Sequence, residues 1–530
     1  MVLFLQDKVF KAHVGRVIQG EGEDEEAVEM VNLLIEATMK TIEQYTVSTI
    51  TMPARLKKNL VGHAEKTLEA ALSILPCQRF LQLSSTLLSS PTASVRLRAL
   101  EVVSSKLSPP SSLPSTCLPS LLPALVQLSL TEEHPHTQQV ALLAVRQVAK
   151  LSTDPTLLIE PAKAFTPDFL KQIGNPKVLG AAVLSCGDLL CCLGARAVTL
   201  APPLVAWLVE SLEVPAREEW GEKEVVVVRN SFLYCLQKLV EGFSGFLSPL
   251  LPRLICLAAR LAGEEGSTSP RASALLSCLA SSLPPHTILA LAPMLLRTVW
   301  KEPLALPPLV AFIAEALRKL ERPQLASVSK DFVSVFTAAL AYRSEAGDEE
   351  ESSVMKVEEA TITSFLSVAL RLSLEDFKPL FQRLLTINQE SEAHLVTVFH
   401  LTSRVAEKLK SLFNFGVESV VAAVIATLAV ERRAPLASAL LSSLASLLSY
   451  NKAETLGLPQ YESLVTSLLQ DWLLPAPLLA PALSKLAAAT SDDTKWKFLH
   501  YQLLLGLRDA RSGVRAAILG VLKERCKNKS

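Results

Sequence analysis

The chain has 530 residues, of which 49% are hydrophobic but only 5% aromatic, and its 52 Lys and Arg balance its 52 Asp and Glu. A net charge of zero argues against a protein that coats nucleic acid or lies on a membrane surface, because such proteins are usually basic. The abundance of Leu, Ala, Val and Ser, with only 19 Gly, favours helices packed on helices over a β-sandwich.

A phrase made of a leucine-rich stretch, a polar turn and a second apolar stretch recurs at 80–107, 120–151 and 496–524. In the second half of each copy, apolar residues follow the spacing of one face of a helix, as in Val95, Ala99, Val103 and Leu107. At ~40 residues for each helix pair, the chain has room for about a dozen. We therefore predict an all-α fold, an α-solenoid of stacked helical hairpins that forms a superhelix.

Residues 225–228 and the prolines bear on the prediction that the chain is all-α. VVVV at 225–228 resembles a strand, but it continues into RNSFLYCLQKLVEGF, so we predict the start of a helix. Most of the 32 prolines are predicted to mark helix starts and joints, because proline is tolerated in the first turn of a helix and breaks its interior.

An acidic stretch, RSEAGDEEESS at 343–353, is the best candidate for a boundary. It predicts one repeat region at 1–342 and a second at 354–530, joined by this loop or linker. We interpret this stretch as a solvated loop between helices, and the alternative interpretation is a regulatory or partner-binding insertion.

No motif of an enzyme site is present: GxxxxGK[ST], GxGxxG, HExxH and GxSxG are all missing. His134 and His136 form an HPH pair without cysteines at ligand spacing, which favours a loop over a fragment of a metal site. Cys191 and Cys192 lie in an apolar stretch and favour core packing over redox chemistry. We predict no catalytic residue, cofactor, metal or small-molecule substrate, and no enzyme activity.

The nine cysteines form no CxxC pair and lie mostly in apolar stretches, which is typical of buried thiols in a reducing compartment. The N-terminus lacks the long apolar core of a signal peptide. The longest apolar run, at 420–430, has the length of a core helix. These features predict a soluble, intracellular chain without a membrane partner.

The most specific local pattern is Asp509, Val514 and Arg515, an acid in a turn followed by Val-Arg in the next helix. Such side chains are predicted to fix the register between units that otherwise adhere through interchangeable apolar faces. Val95-Arg96 and Val228-Arg229 repeat the pair, although the acid is missing there. On this argument, Arg515→Ala lowers the melting temperature.

Basic clusters occur at several places, and the last one comprises Lys523, Arg525, Lys527 and Lys529. Aromatic residues do not alternate with them, so no base-stacking surface is indicated. Solvated faces are preferred, with contact to RNA phosphates as the alternative.

The turn DARSGVR at 509–515 resembles the consensus of HEAT repeats, which makes the predicted hairpins HEAT-like. The segment SDDTKWKFLHYQLLLGLRDARSGVRAAIL at 491–519 resembles the C-terminal region of the HEAT repeat-containing protein 1 family, known in yeast as the U three protein ten family. Three further segments agree in the same order: 175–205, LSLEDFKPLFQRLL at 372–385, and TSRVAEKLKSLFNFG at 402–416.

The resemblance implies a non-catalytic nucleolar scaffold in small-subunit ribosome biogenesis. Its implied partners are other processome proteins, the U3 ribonucleoprotein and pre-ribosomal RNA. The implied roles are processing of pre-18S RNA and support of transcription by RNA polymerase I.

Members of that family are several times longer, so the chain is expected to match only a C-terminal portion and to be truncated after Leu522. Truncation is expected to expose the apolar face of the last helix, including Ile518 and Val521. The alternatives from other classes are a nuclear transport receptor, against which the five scattered tryptophans argue, and a scaffold for a phosphatase or kinase.

Overall fold

The computed structural model describes residues 25–47, 53–74, 77–107, 118–215, 217, 219–347, 349–386, 391–430, 433–470, 474–509 and 511–529. Within these ranges the chain forms α-helices joined by turns and short 3₁₀ segments, without a β-strand. The prediction of an all-α fold is confirmed.

The chain divides into two compact units, Met1–Ala258 with Glu265–Ser282, and Ala259–Glu264 with Leu283–Ser530. In the first unit the helices are α1 Glu25–Val47, α2 Ala54–Ile74, α3 Cys77–Leu88, α4 Ala93–Leu107, α5 Leu118–Thr131, α6 Pro135–Leu151, α7 Ile159–Ala164, α8 Pro167–Gln172, α9 Pro176–Leu193, α10 Ala201–Glu213, α11 Glu222–Phe243 and, after α12, α13 Ser269–Ser282. Helix α12, Leu251–Gly263, is divided between the two units.

In the second unit the helices are α14 Pro285–Val299, α15 Leu306–Leu317, α16 Arg322–Ser327, α17 Ser329–Leu340, α18 Tyr342–Glu345, α19 Glu351–Ala369, α20 Leu374–Thr386, α21 Glu392–Leu409, α22 Val417–Val430, α23 Ala434–Tyr450, α24 Leu458–Leu469, α25 Ala476–Ala489, α26 Asp493–Gly506 and α27 Ser512–Lys529. Among the described residues, the helices of both units form twelve successive pairs, in agreement with the predicted number.

Each unit is an α-solenoid in which the second helices of successive pairs pack on one another. We call them the B helices: α2, α4, α6, α9, α11 and α13 in the first unit, and α15, α19, α21, α23, α25 and α27 in the second. The first helices, the A helices, form their own contacts, such as α3 with α5, and α22 with both α20 and α24. The predicted stack of helical hairpins is therefore confirmed within each unit.

Local sequence signals explain where the helices begin. Asn175 precedes α9, and its side chain accepts hydrogen bonds from the backbone N–H groups of Lys177 and Val178, while Pro176 takes the first helical position. Ser391 caps α21 in the same way, with its Oγ accepting from the N–H of His394. The stretch 225–228 lies inside α11, as predicted.

Proline does not always mark a boundary. Pro123, Pro293, Pro379 and Pro481 lie inside α5, α14, α20 and α25. All four lie beyond the first turn, so each removes one backbone hydrogen bond from its helix, and the packing of the helix has to offset that loss.

The acidic stretch 343–353 lies within the second unit, so the predicted boundary does not coincide with the division between the units. Residues 343–345 belong to α18, and 351–353 begin α19. The side chain of Arg343 is largely buried, and its guanidinium pairs with Glu351 and Glu358. The loop between α18 and α19 is therefore shorter than the acidic composition of the stretch indicates.

Two apolar stretches, Pro176–Ala197 and Glu392–Val430, are long and apolar enough to cross a membrane by length and composition alone. The first is mostly buried, and α9, which forms most of it, packs between α6 and α11. The second is interrupted by a 3₁₀ segment at Lys410–Gly416 and forms two separate helices, α21 and α22. The first stretch thus forms a core helix of the stack.

Helix α9 approaches α11 closely because two of its contact positions are glycines. A Cβ at Gly187 would lie 2.7 Å from Cys235 Sγ, and one at Gly180 would lie 3.0 Å from Ser231 Oγ. Both partner residues lie on α11 and are buried. These glycines therefore set the separation of two successive B helices.

We expect Gly187→Ala to lower the free energy of unfolding by about 1–2 kcal/mol, because overpacking against Cys235 outweighs the gain in helix propensity. Chemical denaturation measures the change. Gly242→Ala is the control: its Cβ would meet only Cys191 Sγ, at 4.0 Å, so the same change on α11 should stabilise by about 0.5–1 kcal/mol. Adding Cys235→Ala to Gly187→Ala should recover stability, and a failure to do so would contradict the proposed contact.

Candidate interaction surface on the B helices

Polar side chains link four successive B helices of the first unit. Arg146 on α6 forms an ion pair with Asp188 on α9, and Lys150 Nζ lies 3.0 Å from the same carboxylate. The Arg146 guanidinium also lies 5.6 Å from the ring centre of Tyr234 on α11, and Arg271 on α13 lies 5.4 Å from that ring. We call Arg146, Asp188, Tyr234 and Arg271 the Arg–Tyr ladder.

The ladder and the neighbouring Lys150 combine a buried carboxylate with exposed cations. The Asp188 side chain is only 6% exposed, whereas Lys150 is half exposed and Arg271 is exposed. Guanidinium groups above a tyrosine ring are held by cation–π attraction in addition to ion pairing. This arrangement orders cationic groups along one side of the stack, where they can meet carboxylates or phosphates of a partner.

The thiols beside the ladder are unsuited to nucleophilic or redox chemistry. Burial raises the pKa of Cys186 to about 12 and, together with the charge of Asp188, raises the pKa of Cys191 to about 11. Burial likewise raises the pKa of Cys192. Because the thiolate is the reactive form, the raised pKa values favour packing over redox chemistry at these thiols.

A second network joins α18 to two B helices of the second unit, α19 and α21. Glu358 on α19 has a 5% exposed side chain and accepts a hydrogen bond from Arg343 Nε at 2.6 Å. His400 Nδ1 on α21 lies 2.5 Å from its other oxygen. One turn along α21, Arg404 pairs with Glu359 at 2.8 Å, near the surface.

The environment of Glu358 stabilises its charged form. Burial alone would raise its pKa, but the hydrogen bond and charge of His400, together with Arg343, outweigh burial and hold the pKa below its usual value. The stabilisation from this group is therefore present above the unfolded pKa of about 4.3 and is lost as the pH falls through the folded value.

We expect Glu358→Gln to lower the stability at pH 7 by about 2 kcal/mol, because it removes the buried carboxylate and leaves the largely buried Arg343 with only the exposed Glu351 as a charged partner. The difference from wild type should shrink as the pH falls through the lowered pKa of Glu358 in the folded protein, where Glu358 itself becomes protonated. Urea unfolding at several pH values measures both effects. Glu359→Gln, in an exposed pair one residue away, should change the stability by less than about 1 kcal/mol; equal effects would refute the assignment.

The three Val-Arg pairs that were predicted to fix the register lie at different positions along their helices. Val95, Val228 and Val514 are buried at 0%, 4% and 4% exposure. Val95 and Val514 lie in the first turns of α4 and α27, whereas Val228 and Arg229 lie deeper in α11. The three Val-Arg pairs are therefore not equivalent positions of the repeat.

Arg96 forms an ion pair with an acid from the next helix pair, since its own turn contains none. Its guanidinium donates to both carboxylate oxygens of Glu132, at 2.7 and 2.9 Å, and to the carbonyls of Ser90 and Pro91. Glu132 lies in the turn of the next helix pair, and its side chain is 3% exposed. Burial would raise the pKa of Glu132, but the hydrogen bond from Arg96 and further polar contacts lower it.

Asp509 and Arg515 form weaker contacts than Arg96 and Glu132, and these contacts do not join two helix pairs. Arg515 is exposed and donates to the backbone carbonyl of Asp509 at 2.9 Å, while Arg511 pairs with the Asp509 carboxylate at 2.8 Å. The hydrogen bonds from Arg511 lower the pKa of Asp509 to about 2. These contacts stay within one turn of the chain.

We expect Arg96→Ala to lower the free energy of unfolding by about 3 kcal/mol, because the buried Glu132 carboxylate loses its partner. Arg515→Ala should cost about 1 kcal/mol or less. Arg98→Ala serves as the control, since Arg98 is 41% exposed and pairs with Glu101 within α4. Differential scanning calorimetry should rank Arg96 well above the other two, and a reversed order would rule out the bridging role.

Sequence reasoning missed a set of cations that close helix ends. Arg217 donates to the carbonyls of Lys171 and Ile173 at the end of α8, and Arg371 to those of Leu317, Arg318 and Leu320 at the end of α15. Lys495, 6% exposed, donates to the carbonyls of Ala453, Glu454 and Leu456. Each cation lies 39–54 residues from its acceptors in the sequence. No local sequence pattern predicts contacts over that separation.

The last basic cluster also differs from its prediction. Arg525 is half-buried, donates to the carbonyls of Ala488 and Thr490 and lies 5.0 Å from the ring centre of Trp496, which stacks on His500. The fold thus brings an aromatic pair to a cation that the linear sequence keeps apart.

Among the residues that the structure describes, no three His, Cys, Asp or Glu side chains gather as metal ligands. His134 precedes α6 as its N-cap and His136 lies in its first turn, both exposed. With an ordered polar surface on stacked hairpins, the fold and the surface define an α-solenoid repeat protein.

Comparison with known proteins agrees with this class. Residues 324–456 match the BP28CT (NUC211) domain, which includes the Glu358 network and a phenylalanine cluster at Phe377, Phe381, Phe413 and Phe415. The chain is 26% identical to human HEAT repeat-containing protein 1 over 95% of its length, and 24% identical to the Danio rerio protein of that name over 89%. The predicted resemblance to the HEAT repeat-containing protein 1 family is confirmed.

The chain spans about a quarter of the length of these relatives, 26% of the human and 25% of the Danio rerio protein. Among solved structures, the karyopherin Kap121p bound to the SUMO protease Ulp1p is similar over 99% of this chain and 52% of its own, at 14% identity and a TM-score of 0.48.

Proposed function

We propose that the chain is a non-catalytic HEAT-repeat scaffold of nucleolar small-subunit ribosome biogenesis. In this role it acts in pre-18S RNA processing within the U3 small-subunit processome and supports transcription by RNA polymerase I. Its partners are other processome proteins and the U3 ribonucleoprotein with pre-ribosomal RNA, and its location is the nucleolus of the nucleus.

The observation that carries the proposal is the similarity to HEAT repeat-containing protein 1 along nearly the whole chain, together with the BP28CT (NUC211) domain. The scaffold part rests on the stacked hairpins, whose ordered polar surface suits the holding of partners. The buried thiols and the absence of enzyme motifs from the sequence agree with a role that needs no chemistry.

Affinity purification of the tagged chain tests the proposal. We expect U3 RNA and pre-18S RNA to be enriched over other small nuclear RNAs, and the tagged chain to concentrate in nucleoli by fluorescence imaging. Recovery of Ran or of a phosphatase subunit without U3 RNA would overturn the proposal in favour of a transport receptor or an enzyme-associated scaffold.

A matched pair of variants assigns the surface. Lys150→Glu with Arg271→Glu reverses two cations on the B helices, and we expect it to reduce the recovery of U3 RNA. Lys163→Glu with Lys171→Glu applies the same charge change on α7 and α8, where both lysines are 58% exposed, and should leave recovery unchanged. Equal losses would remove the assignment to the B helices.

A further inference from the structure

The Arg–Tyr ladder and Lys150, which we call the ladder patch, form a cationic surface whose only aromatic ring is already engaged. Arg146 and Arg271 lie 5.6 and 5.4 Å from the ring centre of Tyr234. One comes from a helix that precedes α11 in the stack and the other from the helix that follows it. The half-buried ring therefore serves to position guanidinium groups and not to stack a nucleobase.

The ladder patch carries more positive than negative charge. Arg146, Lys150 and Arg271 supply three cations, whereas the buried Asp188 supplies one carboxylate. Lys150 and Arg271 are the two exposed cations, so they are the groups that can meet an anion directly. A net charge of this sign attracts a polyanion.

The surroundings of the patch are polar. Gln237, Lys238 and Glu241 follow Tyr234 on one face of α11, where Lys238 and Glu241 pair with each other and cancel in charge. Throughout α6, α9, α11 and α13, which the structure describes completely, Val227 is the one large apolar side chain that is exposed. Protein interfaces have an apolar or aromatic centre, whereas contacts to a nucleic-acid backbone are made mainly by cations and polar groups. The patch therefore suits RNA phosphates better than an acidic protein surface.

We infer that the ladder patch binds the phosphate backbone of RNA directly, without reading its bases. The inference rests on the proposed function, from which RNA is taken as the partner. Lys150 and Arg271 contact phosphates, while Asp188 and Tyr234 are positioning residues that hold the cations in place. Such binding is independent of sequence and of the 2′-hydroxyl, and it weakens with salt because bound phosphates release counterions.

Fluorescence anisotropy with the purified chain and labelled strands of equal length tests the inference. We expect oligouridylate, oligocytidylate and oligodeoxythymidylate to bind with similar affinities. A preference of more than about tenfold for one of them would show that bases or the 2′-hydroxyl are read and would overturn the inference. Displacement of the strand by polyglutamate as readily as by unlabelled RNA would overturn it in favour of an acidic protein partner.

The salt dependence of binding identifies the residues that touch phosphate. Lys150→Gln and Arg271→Gln should each reduce the slope of log affinity against log salt concentration by about 0.7, the value for one phosphate of a single strand. Lys163→Gln and Lys171→Gln remove lysines that are 58% exposed on α7 and α8, and they should leave the slope unchanged. Equal changes in both sets would reject the ladder patch as the contact site.

Substitutions of Tyr234 separate positioning from contact. Tyr234→Phe keeps the ring and should bind RNA like the wild type. Tyr234→Leu removes the ring but leaves every charge of the patch in place, so the affinity should fall several-fold while the salt slope stays the same. Thermal unfolding checks that this variant is folded, and a folded variant with wild-type affinity would contradict the positioning role.

Failure of this inference can be distinguished from failure of the proposed function. If the chain binds no strand in vitro but recovers U3 RNA from cells, the RNA is held through another protein and only the inference is wrong. If the chain binds strands through the patch but recovers no U3 RNA, the proposed function is wrong and the patch serves a different RNA.

Discussion

The structure depends on the packing of each B helix against the B helix of the next pair. Helix α9 shows what this requires: most of its length is buried between α6 and α11, and glycines at 180 and 187 let the α11 backbone come close. Burying aliphatic side chains supplies most of the stability, at about 1.5–3 kcal/mol for each fully buried Val or Leu. Such contacts are not directional, so they hold the helices together without fixing how far one slides along the other.

Buried polar contacts supply the missing register. The guanidinium of Arg96 reaches the Glu132 carboxylate only at one setting of two successive helix pairs, and Glu358 meets Arg343 and His400 under the same restriction. Burying these charges is costly unless every partner is in place. A displaced register would therefore leave a buried charge alone, and the correct register is selected largely because its alternatives are unfavourable.

The sequence predicted the parts of this arrangement that are local. Helix starts such as Asn175-Pro176 and the apolar spacing of α4, α6 and α27 are set by neighbours within a few residues. The partners of the register residues are not local, since Arg96 and Glu132 are 36 residues apart, and Arg146 and Asp188 are 42 apart. Many acids lie at similar separations, and only the packed helices decide which one an arginine reaches. For the same reason Ile518 and Val521, which were predicted to be exposed, are instead buried, since α27 packs on α25.

Helix pairs joined mainly to their neighbours need not lose their structure all at once. An opening at one pair removes support from the pairs beside it, while more distant pairs keep their own buried faces. Hydrogen exchange in such a chain is graded from place to place, with separate stretches opening at separate energies. A damaged or partly opened chain thus retains folded lengths, and the loss of one helix pair need not remove the surfaces that the other pairs present.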